Sequence, residues 1–183
     1  MNRKTILLLT AVVVFMNPGF TQESSVSQQV LRMNVMNPGI EYEIPLFSQS
    51  TLAVNLGVGY GGSHPNLTTN ASGWLYLIAP FADIHFRNYY NFNNRLDKGK
   101  NIQYNAGNFL GVRMLVRGKT LSSNFTRTSN YDFAIGPAWG VQRSFRRINL
   151  LIDLGFAYYF DTRGNDGFTP MLELNLGYNL RFW

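Results

Sequence analysis

The residues most able to do chemistry are Asp83, His85 and Arg87, spaced two apart within one stretch of alternating polarity. A carboxylate beside an imidazole is the orienter and base of a hydrolytic site, but that chemistry also needs a placed nucleophile. No serine stands at a spacing that would supply one, and cysteine is absent from the chain. Small membrane barrels that cut or transfer acyl chains use histidine and serine near the outer rim, and no His-x-Ser pair occurs here. The second histidine, His64, precedes Pro65 without a local acidic partner. No closely spaced run of His, Asp and Glu suggests a metal site in the sequence. The run Gly57 to Gly62 resembles a phosphate cradle only superficially, because it lies within alternating residues and not before a helix. The expectation is a protein with no catalytic residues, no metal and no cofactor.

The elements that position these groups repeat with period two. Leu172, Leu174, Leu176, Tyr178, Leu180 and Phe182 alternate with Glu173, Asn175, Gly177, Asn179 and Arg181. The same alternation runs through Thr51–Gly61, Trp74–Tyr90, Asn108–Arg117, Tyr131–Phe145 and Asn149–Asp161. Each stretch reaches the roughly 9–11 residues that a tilted strand needs to cross a bilayer. Two shorter runs, Leu31 to Val35 and Ile40 to Leu46, flank the turn Asn37-Pro38-Gly39. Counted as a hairpin they bring the strands to eight; counted as one bent strand, to seven. An even number suits a single-chain bacterial barrel. The expected fold is all-β, an eight-stranded antiparallel transmembrane β-barrel over residues 22 to 183.

Residues 1 to 21 read as a secretory signal. Arg3 and Lys4 precede an apolar run from Ile6 to Met16, too short for a membrane-spanning helix, and Asn17-Pro18-Gly19 follows. Removal of that segment takes away Arg3 and Lys4 and no acid, which lowers the net charge from +6 to +4. Export argues against nucleic acid as the partner of this basic chain. Aromatic residues make up 15% of the chain and charged ones only 14%, which suits an apolar outer surface. A mean hydropathy of −0.10 is compatible with that, since alternation averages out the apolar face.

One face of these strands collects charge: Arg32, Glu41, Glu43, Asp83, His85, Arg87, Arg113, Arg117, Asp132, Asp153, Glu173 and Arg181. Apart from the histidine, that is five arginines against six carboxylates. Enclosed ions must pair, and a guanidinium can bridge two carboxylates in fixed geometry. An eight-stranded barrel is just wide enough for side chains to fill. The expected interior is therefore an ion-paired network that plugs the lumen, with a narrow channel past Arg113 and Glu173 as the alternative. A lipid-modifying enzyme, using His85 or a loop serine at the rim, comes third. Glycines 57, 59 and 61 are expected to make room for bulky inward neighbours such as Phe81.

Trp74, Tyr76, Tyr131 and Phe133 fall at one end of the apolar face, and Tyr90, Phe145, Phe182 and Trp183 at the other. That is the pair of aromatic girdles expected at two membrane surfaces. With both chain ends periplasmic, Phe47–Ser50 and Arg146–Arg147 become short periplasmic turns. Gly62–Gly73, Gly118–Asn130 and Thr162–Gly167 become outer loops. Asn91–Gly107 is long for a periplasmic connection, and its basic cluster Arg95, Lys98 and Lys100 reads as a solvated turn.

The closing run Asn175, Gly177, Leu180 and Phe182, followed by Trp183, resembles the β-signal read by the bacterial outer-membrane assembly machinery. The segments Asn37-Pro38-Gly39-Ile40-Glu41-Tyr42-Glu43, Tyr131–Pro137 and Ala157–Asp161 resemble those of small outer-membrane barrels of Bacteroidota, a largely uncharacterised group. The resemblance implies an outer-membrane location, contact with outer-membrane lipid, and the assembly machinery as a partner during biogenesis. It carries no catalytic residues. The functional expectation is a non-enzymatic structural or interaction protein that contacts another envelope protein through its loops or turns.

Overall fold

Alternating residues put side chains on opposite sheet faces, and a sheet that closes on itself turns those faces into an inside and an outside. The computed structural model describes residues 27–60 and 76–182. It is an all-β protein in which eight antiparallel strands form a ring. They are β1 (Val30–Asn34), β2 (Gly39–Phe47), β3 (Ser50–Tyr60), β4 (Leu77–Asn88), β5 (Asn108–Arg117), β7 (Asp132–Phe145), β8 (Ile148–Asp161) and β9 (Asp166–Phe182). A two-residue strand, β6 (Ser122–Ser123), lies between β5 and β7 in sequence and pairs with Leu77 and Ile78 of β4. The ring closes where β1 meets β9, from Val30 opposite Phe182 to Asn34 opposite Gly177, with a bulge between Leu31 and Arg32. Residues 30–47 are thus the two-strand hairpin and not one bent strand.

Up-and-down order sorts the connections into two ends. Both ends of the described chain, the turn at Ser48 and Gln49, the 89–107 connection and the Arg146–Arg147 turn share one end. The β1–β2 turn, the end of β3 at Tyr60, the start of β4 at Leu77 and the connections 118–131 and 162–165 share the other, here called the loop end. No helix among the described residues is long and apolar enough to cross a membrane. The 1–21 segment, the Gly62–Gly73 loop, Gly61, Trp74 and Trp183 lie outside the described residues, as do the side chains of Arg181 and Phe182.

Burial is inverted relative to a water-soluble domain. Arg32, Glu43, Gln142, Asp153 and Asn179 are fully buried, while Phe168 is 81%, Phe156 70% and Leu172 69% exposed. Apolar exposure covers the outward face of every long strand, as the alternation requires.

The basic residues Lys98 and Lys100 are exposed, but the 89–107 connection around them does more than turn the chain. It folds into α1 (Phe92–Asp97) and a 3-10 turn (Gln103–Asn105) that plug one end of the barrel. The helix stops at Gly99, whose positive φ is a conformation that suits glycine, and Lys100 donates its backbone N–H to the Arg95 carbonyl. Beneath it Tyr89, Phe92, Phe109 and Leu151 form a buried apolar cluster with Ile102 against it. Tyr89 stacks on Phe92 at 4.5 Å, and Phe109 meets Tyr89 edge-on at 5.6 Å. Gly140 stands where any Cβ would strike the Phe109 ring, so a glycine on β7 admits an aromatic from β5. Gly59 does the same for Phe81, as expected. Gly57 does not: its Cβ would meet the Pro38 carbonyl oxygen, so it serves close backbone approach at the β1–β2 turn.

Three anchors hold the plug. Gln28 pairs with Asn105 through two hydrogen bonds of 2.7 Å, tying the segment before β1 to the 3-10 turn. Arg143 on β7 donates to the Gly107 carbonyl at 3.0 Å and to Asn108 Oδ1 at 2.6 Å. Tyr104 and Asn105 both have positive φ, and this left-handed pair turns the Tyr104 carbonyl into the barrel.

Candidate functional site: the charged barrel interior

Inward parity brings the charged residues of seven strands into one column, which divides into three layers along the barrel axis. Next to the plug, Arg32 from β1 sits between two glutamates of β2. Its Nη1 donates to Glu41 Oε1 and to Glu43 Oε2, the latter at 2.9 Å. Its Nε donates to Asn179 Oδ1 at 3.1 Å and its Nη2 to the Tyr104 carbonyl at 3.2 Å. Arg87 from β4 adds a second cation, 2.9 Å from Glu41 and 3.6 Å from Glu43. Thr51 and Tyr89 donate to Glu43 Oε1 at 2.7 and 2.8 Å. Gln142 accepts from Arg87 and donates to the Tyr104 carbonyl. Two guanidiniums here meet two carboxylates, so the layer is neutral and densely bonded.

At mid-barrel the balance changes. Arg113 on β5 grips Asp83 on β4 with Nε at 2.9 Å and Nη2 at 2.5 Å. The same guanidinium reaches Asp153 on β8 at 3.3 Å and Glu173 on β9 at 3.0 Å. Asp153 and Glu173 are cross-strand partners in the β8–β9 register. His85 stands beside Arg113 in the β4–β5 register and faces Asp153, with Nδ1 3.7 Å from Oδ2. Three carboxylates thus share one guanidinium. Neither ring nitrogen of the buried His85 has a hydrogen-bond partner, and Asp153 Oδ2 has none either.

Toward the loop end Asp132 bridges two arginines: Arg117 Nε at 2.8 Å and Arg127 Nη2 at 2.6 Å. Between this layer and the middle one lies a cavity of about 90 Å³. Its walls run from Asn37 and Gly59 at the loop end to Asp83, Arg113 and Glu173.

Of the charged residues read from the sequence, the eleven whose side chains are described are all buried inward. Their pairing differs from what sequence proximity suggested. The carboxylate beside His85 in space is Asp153, from the opposite wall, whereas its chain neighbour Asp83 is committed to Arg113. His85 is at mid-barrel, not at a rim. Among the described residues no serine, threonine or tyrosine hydroxyl is hydrogen-bonded to its ring. Nothing in the chain order signalled the grouping of His85, Asp153 and Glu173, whose candidate ligand atoms all lie within 4.8 Å of one another. They come from β4, β8 and β9, which only ring closure brings face to face.

Sequence reasoning missed Arg127 and the apolar end of the interior. Arg127 lies in a connection without periodicity. Phe109 and Leu151 share the inward parity of Arg113 and Asp153, and that was the available signal.

The described aromatics lie at both ends of the barrel. Tyr76 and Tyr131 are exposed and Phe133 half-buried at the loop end, where Phe133 stacks on Phe160 at 5.0 Å. Tyr90 and Phe145 are exposed at the plugged end. In β9, Asn175 faces inward and Leu180 outward. No family model, curated protein or solved structure matches this chain.

Proposed function

We propose that this protein is an integral outer-membrane β-barrel with a non-enzymatic structural or interaction role and a lumen closed to ion flow. One observation carries the reading: a ring of strands that buries its arginines and carboxylates inside and exposes leucine and phenylalanine outside. Water would favour the opposite arrangement, whereas lipid tails reward it. Closure to ions is supported by the plug, where Arg32 fills the space between Glu41, Glu43 and the Tyr104 carbonyl with no exposed atom surface of its own. Contacts with another envelope component fall to the loop-end connections and to the exposed Lys98 and Lys100 beside α1. The resemblance to small Bacteroidota barrels and the terminal β-signal pattern agree with this reading.

The test is conductance of the purified, folded protein in a planar bilayer. The expected result is a silent membrane containing folded barrel. Reproducible current steps that change in Glu173→Gln would instead make the protein a narrow channel.

A further inference from the structure

We propose that the mid-barrel layer is a binding site for one divalent first-row transition-metal ion, of which zinc is the probe, ligated by His85, Asp153 and Glu173. Such a site is separate from the proposed envelope role and does not depend on it. Charge balance points to it first. The layers on either side are matched or carry excess arginine: two guanidiniums for two glutamates near the plug, two for Asp132 toward the loop end. Among the described residues only the middle layer is short of positive charge, with Asp83, Asp153 and Glu173 around the single Arg113. Three acids against one guanidinium leave a deficit of two charges, the charge of a divalent ion.

Placement adds to this. Asp153 and Glu173 are directly paired across β8 and β9, and like charges in that position repel unless a cation lies between them. Asp83 takes Arg113's Nε and its shortest Nη2 contact, and the same guanidinium meets Glu173 and Asp153 at the longer distances of 3.0 and 3.3 Å.

Independent of the acids is the state of His85. Its side chain is only 2% exposed, yet both ring nitrogens lack a hydrogen-bond partner, Asp153 Oδ2 likewise accepts none, and Glu173 Oε2 has only its 3.0 Å ion contact with Arg113 Nη2. Buried polar atoms are rarely left this way, and each needs an explanation. An imidazole turned toward two carboxylates is satisfied at once by a metal ion. The donor set suits that class: imidazole nitrogen with carboxylate oxygen fits zinc and its neighbours better than the all-oxygen preference of calcium or magnesium.

The distances ask for modest adjustment. The three candidate ligand atoms already lie within 4.8 Å of one another. Tetrahedral zinc would draw them somewhat closer together, and a change of glutamate or aspartate rotamer supplies movement of that size. The cavity above the layer touches Glu173 and offers room for a water to complete the coordination.

The experiment uses the full-length chain folded in detergent, stripped with chelator and titrated with zinc by calorimetry, with bound metal counted after gel filtration. One zinc per chain is expected, and zinc should raise the temperature at which the folded gel band converts to the unfolded one. His85→Gln and Glu173→Gln should each weaken binding by more than the roughly 10–100-fold that loss of an outer-shell partner costs. His64→Gln, which alters the other histidine, should leave it unchanged. The proposal is overturned if the folded wild-type barrel takes up no zinc, in which case protons neutralise the layer. It is equally overturned if His85→Gln binds as tightly as the wild type, or if His64→Gln abolishes binding.

Discussion

Replacing Arg113 with alanine is expected to destabilise the barrel by about 3–5 kcal/mol, the range for removing one partner of a buried ion pair. The reason is geometric. Arg113 is the only guanidinium in contact with Asp83, Asp153 and Glu173 among the described residues, and all three carboxylates are buried. Alanine leaves three desolvated acids without their cation, with only the 3.3 Å hydrogen bond from Asn175 to Glu173 in compensation, and their mutual repulsion no longer has a positive charge at its centre. Arg113→Lys should recover only part of the loss, because an ammonium cannot reproduce the fork that spans Asp83 and Glu173. The measurement is the urea midpoint of unfolding in detergent with chelator present, read alongside the heat-dependent shift in gel mobility. A midpoint equal to that of the wild type would contradict a paired interior.

The second large effect belongs to the outer face. Leu154 is 52% exposed and stands at the middle of β8, opposite Leu172 of β9. In a bilayer, an arginine at the midplane of a barrel's lipid face costs about 2–4 kcal/mol, falling to about 0–1 near the interfaces. Leu154→Arg should therefore reduce folding stability in lipid vesicles by that larger amount, while Phe145→Arg, at the plugged end, should be nearly neutral. A barrel that lived in water would show no such gradient, since both positions would simply gain a solvated charge. Equal, small effects at 145 and 154 would count against the membrane reading.

Much of this architecture could be read from the chain because period two carries two facts at once. Alternation over Asn149–Asp161 specified both a strand and which of its residues face inward, and Asp153 is buried while Leu154 is not. Strand parity split residues 30–46 into a hairpin without any contact information, and β1 and β2 do pair from Val30–Glu43 to Asn34–Gly39. Boundaries were less legible. β4 begins at Leu77, inside the alternating run, and β9 begins at Asp166, ahead of the Phe168 that opens its apolar series.

What escaped the sequence depends on closure. The 91–107 connection has only a short helix and a shorter 3-10 turn, too little for a period to register. Its role comes from tertiary contacts: Phe92 finds Tyr89, Phe109 and Leu151, and the Tyr104 carbonyl finds Arg32 and Gln142. Partner choice within the charged column was hidden for the same reason. Alternation says that His85 points inward; it cannot say that Asp153, three strands further round the ring in β8, will face it. The central cluster is a property of the ring and not of any one strand.

The most direct measurement concerns Trp139, half-exposed on the outer face at the middle of β7, with its indole N–H donated to Tyr90 Oη at 3.0 Å. A variant with Trp74→Phe and Trp183→Phe keeps it as the single tryptophan. Folded into vesicles, its fluorescence should be strongly quenched by lipids brominated along the acyl chain and left intact by iodide in the water. Quenching by iodide with no response to brominated chains would mean that the apolar outer face does not meet lipid, and the account of an inside-out membrane barrel would fail.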